Sequence, residues 1–226
     1  SIWIDGVLEL DAVNFNIISG GYRWADLGVS RPTEYADVTL DEMVFYQGVG
    51  LSIGLSENSS YYNNGNGALA TGVFSDIYAY YRMNEADGAT TLTDETGNYN
   101  GTLNNFSTPP AYFVPHTPAF SFGNALDFDG VNDYVDFSSI SFSGDFTIST
   151  WIKFDAFADV IMASTSTLNF YLFTENSTAI RLSIGATGVA PDRLVFTVPA
   201  MTTGTWYYLT ISRISNSVRL YLNSIE

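Results

Sequence analysis

The sequence contains no cysteine, which excludes a disulfide framework, a thiolate metal site and a thiol nucleophile. It has one histidine, His116, and one lysine, Lys153. A histidine-dependent triad or a histidine-rich metal centre would therefore rest on a single side chain. His116 stands in the proline-rich stretch PPAYFVPHTP, where a structural role is expected. Lysine and arginine number 8 against 24 acidic residues, a formal net charge of −16. That balance argues against nucleic acid and anionic membrane surfaces as partners, since both are held by basic side chains, and it permits divalent cations. Charged residues are 14% in all, against a usual share of about a quarter. No apolar run approaches the ~18 residues of a membrane helix, so no membrane insertion is expected. The chain opens Ser-Ile-Trp-Ile without signal-peptide architecture. Either a removed leader or an excision from something longer is expected.

Hydrophobic residues make up 46% of the 226 positions and aromatics 15%, enough for a sizeable core in one domain, or one and a half at about 150 residues each. Their periodicity is that of strands, with successive side chains on opposite faces. In FTISTWIKF (146–154), Phe146, Ile148, Ile152 and Phe154 share one face with Thr150, while Thr147, Ser149, Trp151 and Lys153 take the other. Similar runs fall at 2–4, 13–18, 38–46, 77–83, 125–129, 133–137, 168–173, 180–184, 194–198, 206–212 and 218–222. Gly, Asn, Asp, Ser and Pro separate them, as turns require. Many short strands at this spacing predict an all-β sandwich or barrel. One short helix is predicted at 52–62, and 68–75 reads as a linker.

Residues 76–102 read DIYAYYRMNEADGATTLTDETGNYNGT: an aromatic strand, an acidic turn, then D-x-T-G-N-x-N-G. This resembles the opening of laminin-G-like, concanavalin A-like jelly rolls. ALDFDGVNDYVDF (125–137), FTISTWIKF and WYYLTISRISNSVRLYLNS (206–224) resemble the family's following signatures, in order. IWIDG (2–6), LDEMVFYQ (40–47) and LSENSSYYNNGNG (55–67) resemble its last third. The resemblance implies a two-sheet antiparallel jelly-roll sandwich, cut out of phase. Residues 1–67 would be the closing strands and short helix of one unit, and 76–226 the opening two-thirds of the next. Three arrangements follow: a head-to-tail array, a circular permutation within the chain, or exchange of segments between subunits. Unpaired edges and an open core favour strand addition by a partner, so the array and the exchange are the expectation. Copies of this chain or neighbouring repeats are the expected partners, in an extracellular filament, appendage, surface array or virion fibre.

The resemblance further implies a structural calcium held by Asp94 and Asn98 with Asp41 of the closing strand. The loop Asp94–Asn100 is rich in oxygen donors, as a hard cation needs; a solvated turn without an ion is the simpler alternative. The acids around Gly130, from Asp127 to Asp136, read as a hairpin with inward Leu126, Phe128, Val135 and Phe137, or as a second oxygen site. The alternative function is calcium-dependent carbohydrate binding or adhesion, with Tyr99, Tyr112 and Tyr61 as candidate glycan contacts. No enzyme is expected: the paired glutamates of a glycosidase and a G-x-S-x-G nucleophile turn are both absent from the sequence. Four N-x-[ST] sequons start at Asn58, Asn100, Asn105 and Asn176.

Overall fold

The computed structural model describes residues 2–4, 7–10, 22–23, 26–31, 34–47, 67, 77–107, 112–115, 123–137, 140–142, 144–164, 170–184, 192–215 and 217–224. The predicted strand 13–18, the predicted helix 52–62, the linker 68–75, His116 and Tyr61 lie outside these residues. The described residues contain strands and turns and no helix.

In chain order the strands are β1 (Ile2–Ile4), β2 (Val7–Leu10), β3 (Tyr22–Arg23), β4 (Asp26–Leu27), β5 (Val29–Arg31), β6 (Glu34–Tyr35) and β7 (Val38–Gln47). There follow β8 (Ile77–Tyr81), β9 (Thr91–Leu92), β10 (Gly101–Asn104), β11 (Phe113–Pro115), β12 (Asn124–Asp127), β13 (Tyr134–Asp136) and β14 (Ser141–Phe142). The last are β15 (Phe146–Phe154), β16 (Val160–Ala163), β17 (Phe170–Asn176), β18 (Ala179–Ile184), β19 (Asp192–Thr197), β20 (Trp206–Ile214) and β21 (Ser217–Leu222).

Two antiparallel sheets make the sandwich. One has eight strands in the order β19-β18-β17-β16-β4-β13-β10-β9. The other has seven: β11-β12-β7-β15-β20-β21, with β8 also on β7. β1 and β2, β3 and β14, and β5 and β6 form separate pairs. The long strand β7 organises the seven-stranded sheet. Along one side it pairs with β15 from Phe154↔Val38 to Phe146↔Gln47. Along the other its first half pairs with β12 and its second half with β8. Both edges of its backbone are thus satisfied inside the sheet, and all its described side chains but Gln47 are buried.

This is the fold-back arrangement. Residues 26–47 place β4 in one sheet and β7 in the other, beside strands drawn from 77–222 of the same chain. In the expected assignment of 1–67 and 76–226 to different units, the same strands would come from a neighbouring unit. What favours the chain's own strand is proximity. Closing a loop of some tens of residues costs only slightly more than closing a short one, so the chain's own strand reaches the open core readily.

The core lies between the sheets. Leu40, Met43, Phe45, Ile148, Ile152, Leu209 and Ile211 meet Leu27, Val135, Met162, Leu172, Ile180 and Leu182 there. The alternation read in 146–154 holds: Phe146, Ile148, Ile152 and Phe154 join this core. Trp151 joins a second cluster with Val44, Tyr46, Tyr80 and Tyr208 on the other side of the sheet. Hydroxyl pairs continue that side, with Thr147 Oγ1 donating to Ser212 Oγ at 3.1 Å and Ser149 Oγ 3.1 Å from Thr210 Oγ1. β4 ends at Gly28, whose φ of +87° is left-handed and where a Cβ would stand 2.5 Å from Phe128 Cε1. Only glycine lets the chain leave the sheet there.

The acidic segment around Gly130 is not a hairpin. β12 belongs to the seven-stranded sheet and β13 to the eight-stranded one. The segment arches between them, with Leu126, Phe128, Val135 and Phe137 all buried in the shared core.

Candidate functional site

Three groups of chemistry-bearing side chains stand out among the described residues. The first is the predicted calcium loop. It is a tight turn in which Gly97 N donates to Asp94 O at 2.8 Å, with Gly97 at φ +79°. Asp94 is 2% exposed, and its carboxylate is fully engaged by protein donors. Oδ1 accepts from Tyr80 N at 2.9 Å and Thr96 N at 3.1 Å. Oδ2 accepts from Thr96 Oγ1 at 2.5 Å, Asn98 N at 3.0 Å and Tyr99 N at 3.0 Å. A carboxylate offers about four lone-pair sites, so these donors use the acceptor capacity that a cation would need.

Asn98 contributes its backbone N–H, while its side-chain Nδ2 donates to Thr96 Oγ1 at 3.3 Å. Asp41 is on β7, and β8 separates it from Asp94: Tyr81 of β8 pairs with Met43 on one side and with Asp94 on the other. Asp41 Oδ1 accepts from Glu42 N at 2.8 Å. Burial pushes the Asp41 carboxyl well above its ordinary range, against the pull of that N–H and of Arg82. The trio Asp94, Asn98 and Asp41 does not fit a calcium ion in this arrangement. The predicted ligand is instead a staple that ties the loop to β8.

The predicted glycan contacts are likewise taken up by packing. Tyr112 is 6% exposed; its hydroxyl donates to Ala89 O at 3.0 Å and accepts from Gly88 N at 2.7 Å. Tyr99 is half-buried and stacks on Tyr78 at 4.6 Å between centroids. These two rings do not form a common platform, and Tyr61 lies outside the described residues.

The second group was not singled out from sequence. β7 bulges at Glu42, whose φ is +48°, opposite an irregularity between Ser149 and Trp151 of β15. Glu42 is 4% exposed. Its Oε2 accepts from the Tyr80 hydroxyl, and its Oε1 is 3.5 Å from Arg82 Nε. Burial first, then the neighbouring Asp41, pushes its carboxyl up to about 8, while Tyr80 and Arg82 oppose the rise. The sequence signal was an Asp-Glu pair inside an otherwise apolar strand.

The third group is on the outer face of the eight-stranded sheet. Antiparallel pairing sets Phe173 beside Arg181 and Arg181 beside Val195, and sets Tyr171 beside Ser183 and Ser183 beside Arg193. The Tyr171 and Phe173 rings are 5.4 Å apart and within 17° of parallel. The Arg181 guanidinium lies over both, 4.5 Å from the Phe173 centroid and 5.2 Å from that of Tyr171. Glu175 Oε1 accepts from Arg181 Nη1 at 2.9 Å and also from Arg193 Nη2. The Arg193 hydrogen bond, with the charges of both arginines, holds the Glu175 carboxyl below its ordinary range. Arg193 is 57% and Val195 45% exposed. The alternation in FYLFTEN (170–176) shows which residues face outward; the meeting of its rings with Arg181 needed the register.

Residues 129–226 match the family model Laminin_G_3, described as the concanavalin A-like lectin/glucanases superfamily. With the two packed antiparallel sheets, this match shows a laminin-G-like jelly-roll domain. The matched residues run from β13 to β21, so they include the outer-face group and leave out β4 and β7. No curated protein and no solved structure matches the chain. No helix of the described residues is long and apolar enough to cross a membrane.

Proposed function

We propose that this chain is a non-catalytic recognition module that binds carbohydrate outside the cell through the outer face of β17, β18 and β19. The observation that carries the reading is the Tyr171–Phe173 stack beneath Arg181, next to the exposed Arg193. Arg181 lies over both rings, so it is their remaining half-exposed edges that meet the C–H groups of a sugar. The Arg193 N–H groups and the Glu175 carboxylate supply donors and an acceptor for its hydroxyls or for a uronate. Laminin-G-like domains are generally non-enzymatic and extracellular, which agrees with this reading. Because Asp94 is already saturated by its own loop, binding is calcium-independent.

Glycan-array screening, followed by calorimetry on the best ligand, tests this. Phe173→Ala and Arg193→Ala are each expected to weaken binding at least tenfold, and EDTA to leave it unchanged. Binding that survives both substitutions, or no binding to any glycan, contradicts the proposal.

A second reading keeps the filament or repeat role, with β4 and β7 supplied by a neighbouring copy. The sandwich needs β4 and β7 from a segment distant in sequence, and a neighbouring copy carries the same segment. Reversible assembly on concentration, read by light scattering, supports that role, and a dilution-independent monomer removes it.

A further inference from the structure

Of the four sequons, Asn58 lies outside the described residues. The other three differ in what the asparagine side chain does. Asn100 commits its carbonyl oxygen to Asp94 N at 2.9 Å, and its sequon threonine, Thr102, is locked in β10 between β9 and β13. Asn105 commits its nitrogen, with Nδ2 donating to Asn132 O at 2.9 Å. Asn176 is exposed at the tip of the β17–β18 hairpin. Its Oδ1 accepts from both Thr178 N, at 2.8 Å, and Thr178 Oγ1, at 2.9 Å. Here the third residue of the sequon bonds the first, and neither bond uses Nδ2. The tip is held in place from behind, by Met201 N to Ser177 O at 2.7 Å and Val198 N to Thr178 O at 2.9 Å.

We propose that Asn176 is the acceptor for an N-linked oligosaccharide, in preference to Asn100 and Asn105, with a lipid-diphosphate-linked oligosaccharide as donor. In the transfer, Asn176 Nδ2 attacks C1 of the donor's first sugar. The C1–N bond forms, the C1–O bond breaks, and the diphosphate leaves with the bonding pair. The amide nitrogen gives up one proton to a base of the transferase. Negative charge builds on Oδ1 as that proton departs, and the two Thr178 donors already point at that oxygen. At Asn100 and Asn105 no such pair of sequon donors is in place.

The test is secretion of the full chain from a eukaryotic cell behind a cleavable leader. Enzymatic release of N-glycans in heavy-oxygen water then marks each formerly glycosylated asparagine for peptide mass spectrometry. Occupancy at Asn176 is expected to exceed that at Asn100 and Asn105 several-fold. Thr178→Ala is expected to abolish it, and Asn176→Gln to remove the glycan without changing the melting temperature of the enzymatically deglycosylated chain. Glycan at Asn100 or Asn105 with Asn176 bare, no glycan at any of the three, or full occupancy of Asn176 in Thr178→Ala overturns the assignment.

Discussion

Tyr80, Thr96, Asn98 and Tyr99 converge on the Asp94 carboxylate and place five donors on two oxygens. The pattern D-x-T-G-N was legible as a tight oxygen-rich turn, but its role was not. The same residues serve an ion or replace one, and only the direction of the backbone N–H groups decides. Truncation leaves buried donors without acceptors, which costs about 3 kcal/mol, or about 10 °C for a chain of this size. Asp94→Ala is therefore expected to melt about 10 °C lower than the parent chain, by the same amount in calcium and in EDTA. A parent melt that calcium raises by several degrees, with the rise lost in Asp94→Ala, would instead show an ion in the loop. Tyr112 teaches the same lesson. In sequence it stands among prolines as a loop aromatic, and in the fold its ring is buried and its hydroxyl bonded twice.

Strand β4 has only two residues, yet it joins the two halves of the eight-stranded sheet by pairing with β13 and β16. It sets Asp26 directly opposite Asp136 on one side and Ala163 on the other. Like charges facing each other across a ladder are unfavourable. Burial, then Asp136, raises the Asp26 carboxyl from 3.8 to about 7. The folded chain thus binds a proton that the unfolded chain has lost. The stability this proton brings is complete below about pH 4 and disappears as pH rises through about 7. Glu42, at about 8, and Asp133, at about 6, act in the same direction. The melting temperature is expected to fall from pH 4 to pH 8. Asp26→Asn is expected to flatten part of that fall and to melt higher than the parent at pH 8, by at most about 4 kcal/mol. Parallel pH profiles for the two proteins would contradict this. Neither β4 nor the arch from β12 to β13 was legible from alternation. Inward Leu126, Phe128, Val135 and Phe137 look alike whether two strands pair in one sheet or face each other across a sandwich.

At the scale of the molecule, most long strands were legible because each buries one face, and 146–154 was read with its final bounds. The resemblance to a jelly roll was also legible, and LDEMVFYQ carries the pattern of a strand that belongs in its sheet. What periodicity cannot specify is which copy of that strand fills the gap. Here β7 lies between β12 and β15, with Val44 the partner of Ser149. The absence of native cysteine makes that pairing directly measurable. In the double variant Val44→Cys, Ser149→Cys, oxidation at low concentration is expected to give a disulfide within one chain: a monomer on a non-reducing gel, with the two peptides linked on mapping. Disulfide-linked dimers or ladders in place of that monomer would show that β7 is supplied by another copy, and would contradict a sandwich completed by the chain's own residues 26–47.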